Sequence, residues 1–127
     1  MNETEHFKEY EFRCTCCGQN EMKDSFLEKL QLIRYDFGKP MRISSGFRCA
    51  AYNDSISSTG PFGPHTTGRA ADILISGEDM YELLRLAFRH NMTGIGIKGH
   101  GSMASRFLHL DDLLASKSRI RPTIWSY

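Results

Sequence analysis

Three side chains of this sequence are ligand types set in or beside apolar stretches. In "PHTTGRAADILIS", residues 64–76, Asp72 stands among Ala71, Ile73, Leu74 and Ile75. An ionised carboxylate there is costly unless it faces water or a partner. His65 lies seven residues upstream. In "RFLHLD", residues 106–111, strand alternation puts Phe107, His109 and Asp111 on one face and Leu108 and Leu110 on the other. Two imidazoles and a carboxylate are good zinc donors, and three protein ligands leave a fourth position open. An open position suits hydrolysis, in which the metal polarises a carbonyl and acidifies water. On spacing alone, a half-exposed aspartate and two satisfied histidines are the better reading.

The elements that must position these residues read as α+β. Residues 20–37 carry Met22, Phe26, Leu30 and Ile33 at spacings of three and four, with Leu27 adjoining. That pattern predicts an amphipathic helix, ended by Gly38 and blocked by Pro40. A short strand is expected at 41–47, a short helix in "CAAYNDSIS", and a loop in "STGPFGP". "AADILIS" reads as a strand. Ser76 with Asp79 makes a capping-box pattern opening a helix through His90. "TGIGIK" and "RFLHLD" read as strands joined by a loop containing "GHGS", and "RPTIWSY" as a final extended segment. The expected fold is a small, mainly antiparallel sheet with helices packed on one face. Trp125 and Tyr127 are expected to pack the last strand onto the core, with lining a groove as the alternative.

Length and composition set outer bounds. A chain of 127 residues suits one domain, residues 1–127. The net charge of +1 gives no general attraction to nucleic acid or acidic membranes. No apolar run reaches the length needed for membrane insertion. The charged start "MNETEHFKEYEF" is unlike a secretory signal, so synthesis is expected in the cytoplasm without a signal peptide.

The ordered set "ISSGFRCAAYN", "HTTGRAADI", "GIGI" and "FLHLD" resembles the zinc D-Ala-D-Ala carboxypeptidase family, the M15 peptidases. It is most similar to small modules of bacterial cell-wall enzymes and phage lysins. The shared segments are Ser45-Gly46-Phe47-Arg48, then His65 through Gly68, Ala70 and Asp72, then His109-Leu110-Asp111. The opening "HFKEYEFRCTCCG" fits as well, and the resemblance spans residues 6–125. It implies a hedgehog-like or D-Ala-D-Ala-peptidase-like fold with Zn2+ held by His65, Asp72 and His109. It implies that Arg48 contacts an oxyanion or a substrate carboxylate, a task suited to a permanently charged fork. The substrates implied are peptide stems of peptidoglycan, cut next to D-alanine or between an L- and a D-residue. The site of action implied is the cell wall, reached by phage-type release.

Two departures qualify that pattern. Many members carry an acid three positions before the last histidine, where this chain has Arg106. The nearest acids are Asp111 and Asp112, and His100 lies in the preceding loop. Asp111 either orients His109 from behind or serves as the general base, the first being favoured. Gly63 stands where relatives place a serine. The alternatives are therefore a zinc-bearing, non-catalytic wall-binding module, as hedgehog domains illustrate, and a phage structural component. Of the four cysteines, Cys14 and Cys17 form a C-x-x-C pair that could join Cys49 in a second, structural zinc site. The N-terminal cluster could instead form a disulfide with Cys49. Free thiols are the state favoured by synthesis in a reducing cytoplasm. His6 and His90 read as surface residues.

Overall fold

The computed structural model describes residues 1–127. Its sheet has five strands: β1 (Arg42–Ser45), β2 (Ala70–Leu74), β3 (Gly94–Lys98), β4 (Phe107–Asp111) and β5 (Thr123–Ser126). The order across the sheet is β1-β2-β4-β3-β5. All neighbours are antiparallel except β3 and β5, which run parallel. The helices are α1 (Asp24–Phe37), α2 (Ala50–Ile56) and α3 (Gly77–Arg89). The class is α+β, as the pattern predicts.

Alternation gives the sheet two different faces. Ala71, Ile73, Ile95, Leu108 and Leu110 point to one side and join one cluster of 20 buried residues. From α1 that cluster takes Phe26, Leu27, Leu30, Ile33 and Phe37, and from α3 it takes Leu83, Leu86 and Ala87. These helical residues recur at the three- and four-residue spacing that keeps them on one stripe. Leu30 is fully buried, so Leu30→Ala removes contacts worth about 2–5 kcal/mol. The other face carries Asp72, His109 and Asp111 away from the helices.

Three local expectations are corrected. The first helix starts at Asp24 and not at residue 20, because the preceding segment is tied to a loop. Lys23 donates its backbone N–H to the Gly68 carbonyl, and Met22 donates to the Asn20 side chain. Gly68 has φ +75°, and a Cβ there would collide with the Glu21 carbonyl, so a glycine is required at this crossing. The helix ends as expected, with Gly38 left-handed at φ 72° and its N–H on the Arg34 carbonyl. Ser76 does precede α3, but its side chain makes no cap hydrogen bond. Asp79 pairs with Lys39 at 2.7 Å and does not close a capping box. Finally, α2 stands apart from the helix layer and packs on the turns Gly60–Phe62 and Pro64–Thr67.

Candidate metal centre

One row of paired residues crosses the sheet and builds the site. Ser45 pairs with Asp72, Asp72 with His109, His109 with Gly96, and Gly96 with Trp125. The register of β1 is irregular between Ile43 and Ser45. Such bulges re-aim side chains beside functional sites. A second row, Ala70–Asp111–Gly94–Thr123, lies behind the first.

His65 enters from the turn Pro64–Thr67, and its Nδ1 lies 2.8 Å from the Gly46 carbonyl. A carbonyl only accepts, so Nδ1 carries the proton and Nε2 faces Asp72. One Asp72 oxygen, Oδ1, lies 3.2 Å from His65 Nε2 and 3.1 Å from His109 Nδ1. The other, Oδ2, faces Arg48 Nη2 at 3.4 Å. All three ligand-type residues are buried, and their donor atoms fall within 4.8 Å of one another. Burial alone would raise the Asp72 pKa, but the charges and hydrogen bonds of His65 and His109 prevail and hold it well below the usual range. Burial disfavours the His109 cation, yet hydrogen bonds to Asp111 and Asp72 raise its pKa.

Asp111 lies behind His109, away from the opening. Its Oδ2 accepts from His109 Nε2 at 2.8 Å and from Arg121 Nη2 at 2.8 Å. Its Oδ1 accepts from Arg121 Nε at 2.9 Å and from the Leu113 N–H at 3.3 Å. The residue is fully buried. Burial pushes its pKa up, but the bonds from His109 and Arg121 bring it down to about 2. Both oxygens are engaged, which leaves no free acceptor facing the cavity.

The cavity above these residues holds about 1010 Å³. Its floor is Arg48, His65, Asp72 and His109, and its wall includes Phe62, Arg119, Trp125 and Tyr127. Asp72 is the only carboxylate side chain in its lining. Trp125 tilts against His109 with ring centroids 5.0 Å apart, and Tyr127 lies at the same distance from Phe107. The two aromatics therefore line a groove, against the expectation that they pack into the core. The parallel β5 places them on the polar face.

A family model for Peptidase M15 matches residues 5–111. The chain belongs to the M15 peptidase family. A comparison with curated proteins finds no match.

The M15 match ends at Asp111, yet the segment beyond it supplies Arg121, Trp125 and Tyr127 to the site. Sequence reading missed Arg121 and also Asn53, a buried residue of α2. Asn53 Oδ1 accepts from Arg48 Nη1 at 3.1 Å, and Ser45 Oγ accepts from Arg48 Nε at 3.0 Å. These two contacts and Asp72 fix the guanidinium at the cavity floor. Of the other candidates, Asp112 is engaged away from the cavity by Arg69 at 2.7 Å and Lys29 at 3.2 Å. Arg106 turns back to the Gly101 carbonyl. His100 meets the Tyr127 carbonyl at 3.0 Å and does not line the cavity. A Cβ at Gly63 would run into Thr59 and Asn53, which accounts for the missing serine. The "GIGI" glycines also acquire a task. A Cβ at Gly96 would meet the Trp125 indole, and one at Gly94 would meet the Asp111 carboxylate.

Proposed function

We propose that this M15 peptidase is a zinc metallopeptidase that hydrolyses peptide bonds in peptidoglycan stem peptides. The bond is of the D-Ala-D-Ala carboxypeptidase or L,D-endopeptidase type, and the cell wall is the place of action. The observation that carries the reading is the single Asp72 oxygen facing two imidazole nitrogens beneath an open cavity. Two imidazoles and a carboxylate match the donor preference of zinc. With His65 Nδ1 donating to Gly46 and His109 Nε2 to Asp111, the two nitrogens that face Asp72 are free to offer lone pairs to a divalent cation. His65, Asp72 and His109 would hold the ion. When bound, zinc supplies Lewis-acid polarisation of a peptide carbonyl and lowers the pKa of water.

The remaining work falls to side chains. Arg48 presents a fixed positive fork where negative charge develops on a cleaved carbonyl or stands on a terminal carboxylate. Ser45 and Asn53 keep that fork from turning away. Asp111 accepts from His109 Nε2, which leaves Nδ1 aimed at Asp72 and makes Asp111 a positioning residue. Arg121 in turn holds Asp111. Trp125 covers one edge of His109 and limits water there.

A second reading, a zinc-bearing module that binds stem peptides without cutting them, is favoured by one observation: no carboxylate side chain other than Asp72 lines the cavity. One experiment separates the two. Purified peptidoglycan is digested with the protein before chelation, after chelation and after zinc is restored, and products are read by mass spectrometry. Loss and recovery of new fragments is the expected result. Retained stem-peptide affinity with no fragments under any condition would establish the binding module instead.

A further inference from the structure

A second cluster of ligand atoms lies outside the cavity, where the N-terminal arm meets the turn leading into α2. The sulfurs of Cys14, Cys17 and Cys49 lie within 4.8 Å of one another. Cys14 is buried, Cys49 is half-buried and Cys17 is exposed. The turn "CTCCG" is closed by the Gly18 N–H on the Cys14 carbonyl and by the Cys14 N–H on the Gln19 carbonyl, both at 2.8 Å. Gly18 takes φ +74°, which turns the chain back sharply after Cys17. Cys49 donates its backbone N–H to Cys14 Sγ at 3.3 Å. Such a donor stabilises a thiolate more than a thiol. Cys16 adjoins Cys17 on the same turn and is exposed.

We propose that Cys14, Cys17 and Cys49, with Cys16 as the fourth thiolate, form a structural zinc site that fastens the N-terminal arm to the segment holding Arg48 and His65. Four sulfurs at about 2.3 Å from one ion stand about 3.8 Å apart. The Cys14, Cys17 and Cys49 sulfurs need only small side-chain movements to reach that, and Cys16, exposed on the same turn, swings in to join them. A disulfide would use two sulfurs and leave the other two unpaired. Four soft thiolates around one point select zinc or a similarly soft cation. Each thiol that binds gives up its proton to solvent, so loading releases protons and weakens as pH falls.

The fastening bears on the cavity through the backbone. Phe47 donates to the Phe12 carbonyl at 2.9 Å, Gly46 accepts from His65, and Arg48 donates to the His65 carbonyl at 3.1 Å. Residues 46–48 thus orient His65 and carry Arg48, and Cys49 follows immediately. The site does not depend on the peptidase reading, and its test is independent of turnover.

The test titrates the reduced, metal-free protein with cobalt(II) and follows thiolate-to-metal charge-transfer absorption. The His65, Asp72 and His109 set has no sulfur and gives no such band. Wild type and His109→Ala are expected to show the band equally. Cys17→Ser should weaken it strongly, and Cys14→Ser with Cys49→Ser should abolish it. Zinc content should be two ions per chain in wild type and one in the double cysteine variant. Cys17 is exposed, so its variant should fold normally, which circular dichroism checks. Absence of the band in folded wild type would overturn the proposal. So would alkylation of all four thiols in zinc-loaded protein, or an intact mass showing a disulfide after purification without reductant.

Discussion

The chain gathers ligand atoms in two places, and the two are built differently. His65, Asp72 and His109 are buried, and two of them stand side by side on neighbouring inner strands. Each imidazole has its second nitrogen fixed, one by Gly46 and one by Asp111. The cysteines sit on turns, two of them exposed, with few hydrogen bonds to hold them. The first set is preorganised and opens onto a cavity of about 1010 Å³. The second faces no such cavity. Geometry fixed in advance suits chemistry on a substrate. Loosely held thiolates gain order from the ion itself, which suits a fastening.

The largest expected effect breaks one side of this comparison only. His65→Ala or His109→Ala should abolish tight zinc binding at the cavity and all hydrolysis, while the cysteine site keeps its ion. Metal analysis and peptidoglycan digestion on the same preparation check this. Two ions in either variant would dissolve the distinction between the sites.

Arg48→Ala comes next. It should lower turnover by about 10²-fold or more with zinc retained. Arg48→Lys should restore little, because a point charge lacks the paired donors that meet Ser45 and Asn53. Unchanged kcat in Arg48→Ala would reduce Arg48 to a support for Asp72.

Asp111→Asn sharpens the comparison further. Metal affinity at the cavity should fall about 10–100-fold, as it does when a ligand histidine loses its orienting carboxylate. Stability should also fall, by roughly 3 kcal/mol, because Arg121 loses its charged partner in a buried setting. Wild-type zinc affinity with collapsed turnover would instead mark Asp111 as the base. Competition with a chelator and urea unfolding give the two numbers.

The smallest effect is in pH. In the metal-free protein, Asp72 and Asp111 have depressed pKa values, with Asp111 at about 2. Their contribution to stability is complete above the unfolded carboxylate value near 3.9 and is lost as pH falls through the folded values. His109 has a raised pKa, so its contribution is complete below about 6.5 and is lost as pH climbs through the folded value. Unfolding at pH 7, 5 and 2.5 should therefore show a maximum at the middle value. A flat profile would mean that these ionic contacts add nothing to stability.

The grouping of His65, Asp72 and His109 was legible because each member carries a local signal. Asp72 breaks an apolar strand, His109 sits in strict alternation, and Gly68 marks the tight crossing between His65 and Asp72. The helix stripes were legible for the same reason, since a buried face at a fixed period is written into consecutive residues. What was hidden depends on strand order. Gly94 and Gly96 read as a generic strand until the neighbours of β3 are known. With β4 on one side and β5 on the other, their lack of a side chain makes room for Asp111 and Trp125 respectively. Arg121 looked like a residue of a final extended segment, and its bidentate grip on Asp111 needs β5 in that place. Asn53 was hidden because a polar residue in a short helix normally faces water, and here it reaches inward to Arg48 and Thr59.

The tilt of Trp125 against His109 makes the protein its own optical probe. The chain has a single tryptophan, so all indole emission originates 5.0 Å, centroid to centroid, from the His109 imidazole. A cation taken up beside that imidazole changes the charge facing the indole, and the emission should follow. Ion uptake at the cysteines should leave the signal nearly still. A fluorescence titration on unlabelled protein therefore reads occupancy of one site in the presence of the other, and Gly96→Ala, by pushing the indole aside, should mute it.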